Sequence, residues 1–153
     1  MNRFLELRVR DYMTTPVIGV AAATSLAALE EEFRRRDFNG LPVLDGDVLL
    51  GMVTKFDVLK AFVFTPRAIL PHYDEIAQLT AAQIMTRDVI TFRPEASLTR
   101  VLQTLVDFRV KSFPVVDGKR VVGIVAREDI VRALRDASTD TALNGSPATR
   151  AQL

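Results

Sequence analysis

Apolar residues along this chain fall into two kinds of run, and the two kinds alternate. Leu98, Val101, Leu102, Leu105 and Phe108 recur at helical spacing, as do Leu26, Leu29 and Phe33, so each set predicts a helix. Ser25 and Ser97 stand where an N-cap belongs. Short continuous runs at Val17–Val20 and Val89–Phe92 predict a strand ahead of each helix. After each helix comes an apolar run broken by Asp-Gly, at Asp45-Gly46 and at Asp117-Gly118, and Asp-Gly between apolar runs predicts a hairpin. The second hairpin strand is apolar on consecutive residues, which predicts burial of both its faces. Helices over Lys55–Phe64 and Arg127–Asp136 close the two stretches, and short helical lead-ins open them at Val9–Met13 and Ala82–Met85.

The element order is therefore β-α-β-β-α, twice, and the two copies align without a gap. At an offset of 72 residues Met13-Thr14 falls on Met85-Thr86, and Val17-Ile18 on Val89-Ile90. Ser25-Leu26 meets Ser97-Leu98, and Pro42-Val43 meets Pro114-Val115. Gly51, Val53 and Asp57 meet Gly123, Val125 and Asp129. The matches gather at turns and strands, as a structural repeat requires. The expected organisation is a first repeat over 9–64, a linker over 65–81 with a helical turn near Asp74–Leu79, a second repeat over 82–136 and a disordered tail over 137–153. One unit of about 55 residues is marginal alone, so the two are expected to pack sheet to sheet in one body.

Composition narrows the chemistry. Twenty Lys+Arg against nineteen Asp+Glu leave a net charge of +1, which offers no electrostatic footprint for nucleic acid or an anionic membrane. There is no Cys and a single His, His72, so thiolate catalysis, disulfides and a multi-histidine metal site are excluded within one chain. No Walker-type loop and no clustered carboxylates are present, which argues against an enzyme. Charges interrupt the apolar residues at the N-terminus, and no run approaches the roughly 20 residues of a membrane span. The expectation is a soluble, cytoplasmic protein.

Candidate chemistry sits at Gly51-Met52-Val53-Thr54-Lys55-Phe56-Asp57, where a strand passes into a helix. The helix start offers free N–H groups, and Gly51 permits close backbone approach. Thr54 and Asp57 are also spaced as a capping box, which would satisfy the helix start with no ligand. In the second copy Ala126 replaces the hydroxyl residue while Asp129 remains, either as a ligand group or as a first-turn acid on the helix dipole.

Met-Thr before the first strand, Leu-Pro-Val-Leu-Asp-Gly at the hairpin and Gly-Met-Val-Thr-x-x-Asp at the last helix resemble the cystathionine-β-synthase (CBS) domain. Two in tandem look like a CBS pair, or Bateman module, an α/β (α+β) fold of pseudo-two-fold symmetry. The resemblance covers residues 9–136. It implies a non-catalytic regulatory module with an adenosine-type nucleotide (AMP, ADP, ATP or S-adenosylmethionine) in the inter-repeat cleft. The nucleotide would be a ligand, with or without Mg, and no cofactor is required. The same resemblance assigns phosphate or ribose contacts to Thr54 and ribose contacts to Asp57 and Asp129. Val17, Ile18, Val89 and Ile90 would wall the adenine; the plain reading of these residues is core strand. Asn39 and Lys111, three residues before the hairpin prolines, would face phosphates, although a lone lysine also reads as solvated surface. The implied assembly is a homodimer that signals to a partner enzyme or transporter. The competing expectation is a dimerisation or docking scaffold whose clefts are vestigial.

Overall fold

Asp45-Gly46 and Asp117-Gly118 turn where the sequence predicts. Gly46 and Gly118 adopt φ of +60° and +63°, the left-handed region that favours glycine in such a turn. The turns join strands β2 (Gly40–Asp45) and β3 (Val48–Thr54) in the first repeat, and β4 (Ser112–Asp117) and β5 (Arg120–Ala126) in the second. The two ladders have matching registers, with irregularities at Val43/Leu44 and Val115/Val116, again 72 residues apart. The computed structural model describes residues 2–63 and 73–144.

The two sheets meet along β3 and β5. Val48 pairs with Arg120, the Val121 N–H donates to the Asp47 carbonyl at 2.8 Å, and Arg120 bridges Asp47 at 3.0 Å. One five-stranded sheet results, in the order β1-β2-β3-β5-β4, where β1 is Val20–Ala21. The first strand of each repeat is shorter than expected. In the first copy only Val20 and Ala21 pair, parallel to Val43 and Leu44, and in the second only a Phe92–Val115 bridge forms. Val17, Ile18, Val89 and Ile90 lie outside the ladder. The cause is the hairpin proline. The Phe92 N–H donates to the Pro114 carbonyl at 3.1 Å, and the Val116 N–H donates to the Phe92 carbonyl at 2.8 Å. The preceding rung would need an N–H from Pro114, which has none. Pro42 imposes the same stop on the first copy.

Helices α3 (Leu26–Arg36) and α7 (Leu98–Phe108) follow, with Ser25 and Ser97 as N-caps accepting from Ala28 and Arg100. Helix α4 (Lys55–Ala61) is a little shorter than predicted. Helix α8 (Arg127–Asn144) is longer, and the tail expected from 137 onward is helical as far as Asn144. Its small apolar residues Ala133 and Ala137 are buried beside Phe4 of α1 (Asn2–Glu6) in one cluster, and Asp140 pairs with Arg3. Residues 145–153 lie outside the described residues, as do Phe64, the expected end of the first repeat, and 65–72 of the expected linker, His72 among them. The rest of that linker is structured. Helix α5 (Tyr73–Ala77) is the counterpart of α1, with Ile76 and Leu79 at the positions of Phe4 and Leu7.

The lead-ins α2 (Val9–Tyr12) and α6 (Ala81–Ile84) cross over, each completing the other repeat. Phe4 and Val9 are buried in the cluster formed by Leu98, Val101, Phe113, Val115 and Val125. Ala81, with Ile76, Leu79, Ile84 and Met85, completes the cluster of Leu26, Leu29, Leu41, Val43 and Val53. Backbone hydrogen bonds fix the exchange. Thr14 and Ile124 exchange N–H···O bonds of 2.7 and 3.1 Å, and Thr86 and Met52 exchange bonds of 2.8 and 2.9 Å. The Val9 N–H reaches the Ala96 carbonyl and the Ala81 N–H the Thr24 carbonyl, both at 2.8 Å.

Gly51 and Gly123 make room for the crossings, though not equally. A Cβ on Gly51 would stand 2.6 Å from the Thr86 carbonyl oxygen, which the ladder holds in place. On Gly123 the nearest atom would be the Met13 Sδ at 2.7 Å, which a flexible side chain can withdraw. Gly51→Ala is therefore expected to cost about 1–3 kcal/mol, typical of overpacking, and Gly123→Ala distinctly less. Urea unfolding of both variants checks this, and equal midpoints would contradict it.

Candidate functional site

Strand β3 runs straight into α4, and the join is made by Thr54 and Asp57. Thr54 is the N-cap, its hydroxyl accepting from the Asp57 N–H at 3.2 Å. Asp57 reaches back, accepting the Thr54 N–H at 2.8 Å and the Thr54 hydroxyl at 3.0 Å on Oδ2. The capping box is complete. Asp57 is only 3% exposed, and its other oxygen is also used. Oδ1 accepts from the Thr86 hydroxyl at 3.1 Å and from the Lys60 ammonium at 3.0 Å. Thr86 belongs to the other repeat, so the capping carboxylate also fastens the crossing segment.

The second copy repeats this arrangement with one group missing. Asp129, 4% exposed, accepts the Ala126 N–H at 2.8 Å on Oδ2. Its Oδ1 accepts from the Thr14 hydroxyl at 3.3 Å and from Arg132 at 3.1 Å. Ala126 removes the hydroxyl, while the backbone half of the cap survives. Thr14 and Thr86 were not candidates from the sequence. Their signal was present, since Met13-Thr14 and Met85-Thr86 align at the repeat offset, but local reading cannot tell that each serves the opposite repeat.

Two cavities of like size open beside these joins. The first, of about 440 Å³, is lined by Thr54, Lys55 and Phe56 of the first repeat together with Thr86, Val89, Ile90 and Lys111 of the second. Asn39 lines it too. The second, of about 420 Å³, takes Ile18 and Asn39 from the first repeat and Ala126, Glu128 and Asp129 from the second. Of the residues singled out from the sequence, Thr54, Asn39, Val89, Ile90 and Lys111 therefore gather at one cavity, and Ile18, Asn39 and Asp129 at the other. Val17 lines neither. Nor does Asp57; Thr54 and Thr86, which do line the first cavity, both hold its carboxylate. Stopping the first strand short has a consequence here, because Ile18 and Ile90, outside the ladder and 37% and 36% exposed, are free to form cavity wall. Among the described residues no group of three His, Cys, Asp or Glu could hold a metal ion, and no helix is long and apolar enough to cross a membrane.

A duplicated unit with exchanged lead-ins and two clefts between its halves defines a paired α+β module. The CBS domain model matches residues 9–64 and 81–136, and the chain belongs to that family. Among solved structures it is similar to the CBS domain pair of protein MJ0100 in complex with 5′-methylthioadenosine and S-adenosyl-L-methionine. That likeness has a TM-score of 0.69 and 28% identity, over 86% of this chain and 98% of that one. The CBS domain-containing protein YhcV of Bacillus subtilis is 26% identical over 136 residues, 88% of this chain and 91% of YhcV. The A-adding tRNA nucleotidyltransferases of Geobacter sulfurreducens and Aquifex aeolicus are 26% and 30% identical over 90% and 88% of this chain. The chain spans only 14% and 15% of those enzymes' length. A CBS domain pair is a regulatory module and is generally non-catalytic.

Burial by itself would raise the Asp57 carboxyl. The Thr54 N–H, the Lys60 ammonium and the hydroxyls of Thr54 and Thr86 outweigh it and hold the group below its ordinary value of 3.8. Folding thus favours the charged form. The stability this confers is whole above about pH 4 and is lost as the pH falls further through the depressed folded value. Asp57→Asn, which keeps an acceptor but not the charge, is expected to lose about 1–3 kcal/mol at pH 7. Its deficit should shrink as wild type and variant are unfolded at successively lower pH towards 2; a deficit independent of pH would contradict the assignment.

Proposed function

We propose that this chain is a non-catalytic regulatory module that binds an adenosine-type ligand between its repeats and transmits occupancy to a partner protein. The observation that carries the reading is the first cavity. An apolar wall from one repeat (Val89, Ile90) and a polar join from the other (Thr54) line it together, with Lys111 in the same lining. A purine needs such a wall, and ribose and phosphate oxygens need such donors. The complex of the MJ0100 pair with two adenosine compounds supports the ligand class. AMP, ADP, ATP and S-adenosylmethionine are the candidates, with or without Mg. A homodimer acting on an enzyme or transporter in the cytoplasm fits the family.

The hydrogen bonds of Asp57 bear on how it would take part. Its oxygens are already satisfied, so a ribose diol must exchange places with Thr86 and Lys60 to be held there. That exchange loosens a contact between the repeats, which is a direct route from ligand to module geometry. The same saturation favours a second reading. If Asp57 and Asp129 serve only to cap helices and fasten crossings, the protein is a dimerisation or docking scaffold with vestigial clefts.

Thermal unfolding separates the two. AMP, ADP, ATP or S-adenosylmethionine at 100 times its dissociation constant should add about 2.7 kcal/mol. Ile90→Glu, which puts a charge on the cavity wall, should abolish the shift for a ligand of the first cavity and leave the unliganded midpoint near that of wild type. Absence of any shift with all four ligands would leave the scaffold reading standing.

A further inference from the structure

The two cavities match in size and in the elements that build them, yet their charges are opposite. At the repeat offset Arg109 corresponds to Asp37, Lys111 to Asn39, and Phe56 to Glu128. The first cavity is lined by three cations, Lys55, Arg109 and Lys111, against one carboxylate, Asp88. The second is lined by three carboxylates, Asp37, Glu128 and Asp129, against one cation, Arg36. Neutralisation inside the protein does not erase the contrast. Asp129 pairs with Arg132 at 3.1 Å and Arg36 with Glu32 at 2.8 Å. Among the described residues none of Lys55, Arg109, Lys111, Asp88, Asp37 and Glu128 has an ion-pair partner, so two unpaired carboxylates face one cavity while three unpaired cations and one unpaired carboxylate face the other.

Ala126 points the same way. Where Thr54 lines the first cavity with a hydroxyl, the second cavity is lined by the methyl group of Ala126. Arg109 and Asp37 moreover occupy the same left-handed backbone position, with φ of 54° and 50° at the ends of α7 and α3. The reversal is thus a change of side chain on one backbone, not a change of fold. A phosphate entering the second cavity would meet net negative charge in a partly desolvated space, where like charges repel most. A ligand with no phosphate escapes that penalty, and one with a positive centre gains from it.

We infer that the clefts sort adenosine ligands by charge: the first admits the phosphorylated form, and the second admits a phosphate-free form and favours a cationic one. The inference rests on the adenosine reading above, and its test distinguishes failure of either. Calorimetry with AMP on the full chain should give one site per chain. S-adenosylmethionine titrated into the AMP-saturated protein should then fill one further site without displacing AMP. The double variant Asp37→Arg/Glu128→Gln, which borrows the side chain of the first cavity at position 37, should gain a second AMP site. It should bind S-adenosylmethionine at least tenfold more weakly, and unchanged affinity at the original AMP site shows that its fold is intact. Two equal AMP sites in wild type, displacement of AMP by S-adenosylmethionine, or AMP binding with no further site overturns the sorting and leaves the adenosine reading in place. Binding of neither probe overturns both.

Discussion

Each repeat of this protein lacks a piece of its own core, and the segment that fills the gap precedes the other repeat. Val9 buries itself among Leu98, Phe113 and Val125, while Ala81 buries itself among Leu26, Leu41 and Val53. A unit of this size cannot bury enough apolar surface alone, and the exchange makes the folding of one half conditional on the other. Backbone pairing of Thr14 with Ile124 and of Thr86 with Met52 carries the crossing segments over Gly123 and Gly51. Everything at the clefts depends on this arrangement, because each cleft takes one wall from each half.

Within that frame the carboxylates do three jobs at once. Asp57 caps α4, anchors Thr86 and holds Lys60; Asp129 caps α8, anchors Thr14 and holds Arg132. The family motif and the capping box are two descriptions of one set of atoms. A buried carboxylate with every oxygen satisfied is stable as it stands. Oδ1 in each case is shared by a hydroxyl of the opposite repeat, Thr86 or Thr14, and a cation of the same helix, Lys60 or Arg132. Helix capping and inter-repeat geometry are therefore coupled through one carboxylate in each repeat.

The pseudo-symmetry governs shape more tightly than it governs charge. Glycines, prolines and Asp-Gly turns recur at one offset because backbone conformation requires them there. Lining residues such as Arg109 and Asp37 are free to diverge, since neither turn nor ladder depends on their side chains. Two cavities of nearly equal volume with opposite charge are the outcome.

Much of this could be read along the chain. Asp-Gly announced both hairpins, Ser25 and Ser97 both caps, and the 72-residue register the duplication, because turns, caps and helical faces are written in residues close together in sequence. The same reading brought Thr54, Ile90 and Lys111 forward, which do meet at one cavity. It overestimated the first strands, whose length is limited by Pro42 and Pro114 on a neighbouring strand. It lost α8 at Ala137, whose partner Phe4 lies at the far end of the chain; it placed a helical turn near residues 74–79, where α5 lies, but assigned it to a linker and not to the core. Above all it could not show the exchange. Met13-Thr14 and Met85-Thr86 are identical, and so are the glycines they cross, so local chemistry allows either lead-in to dock on either repeat. By itself, then, the sequence determined the elements, their order and several of the residues that line the clefts. Which half each segment completes, and so which residues share a cleft, was decided only when the chain closed on itself in three dimensions.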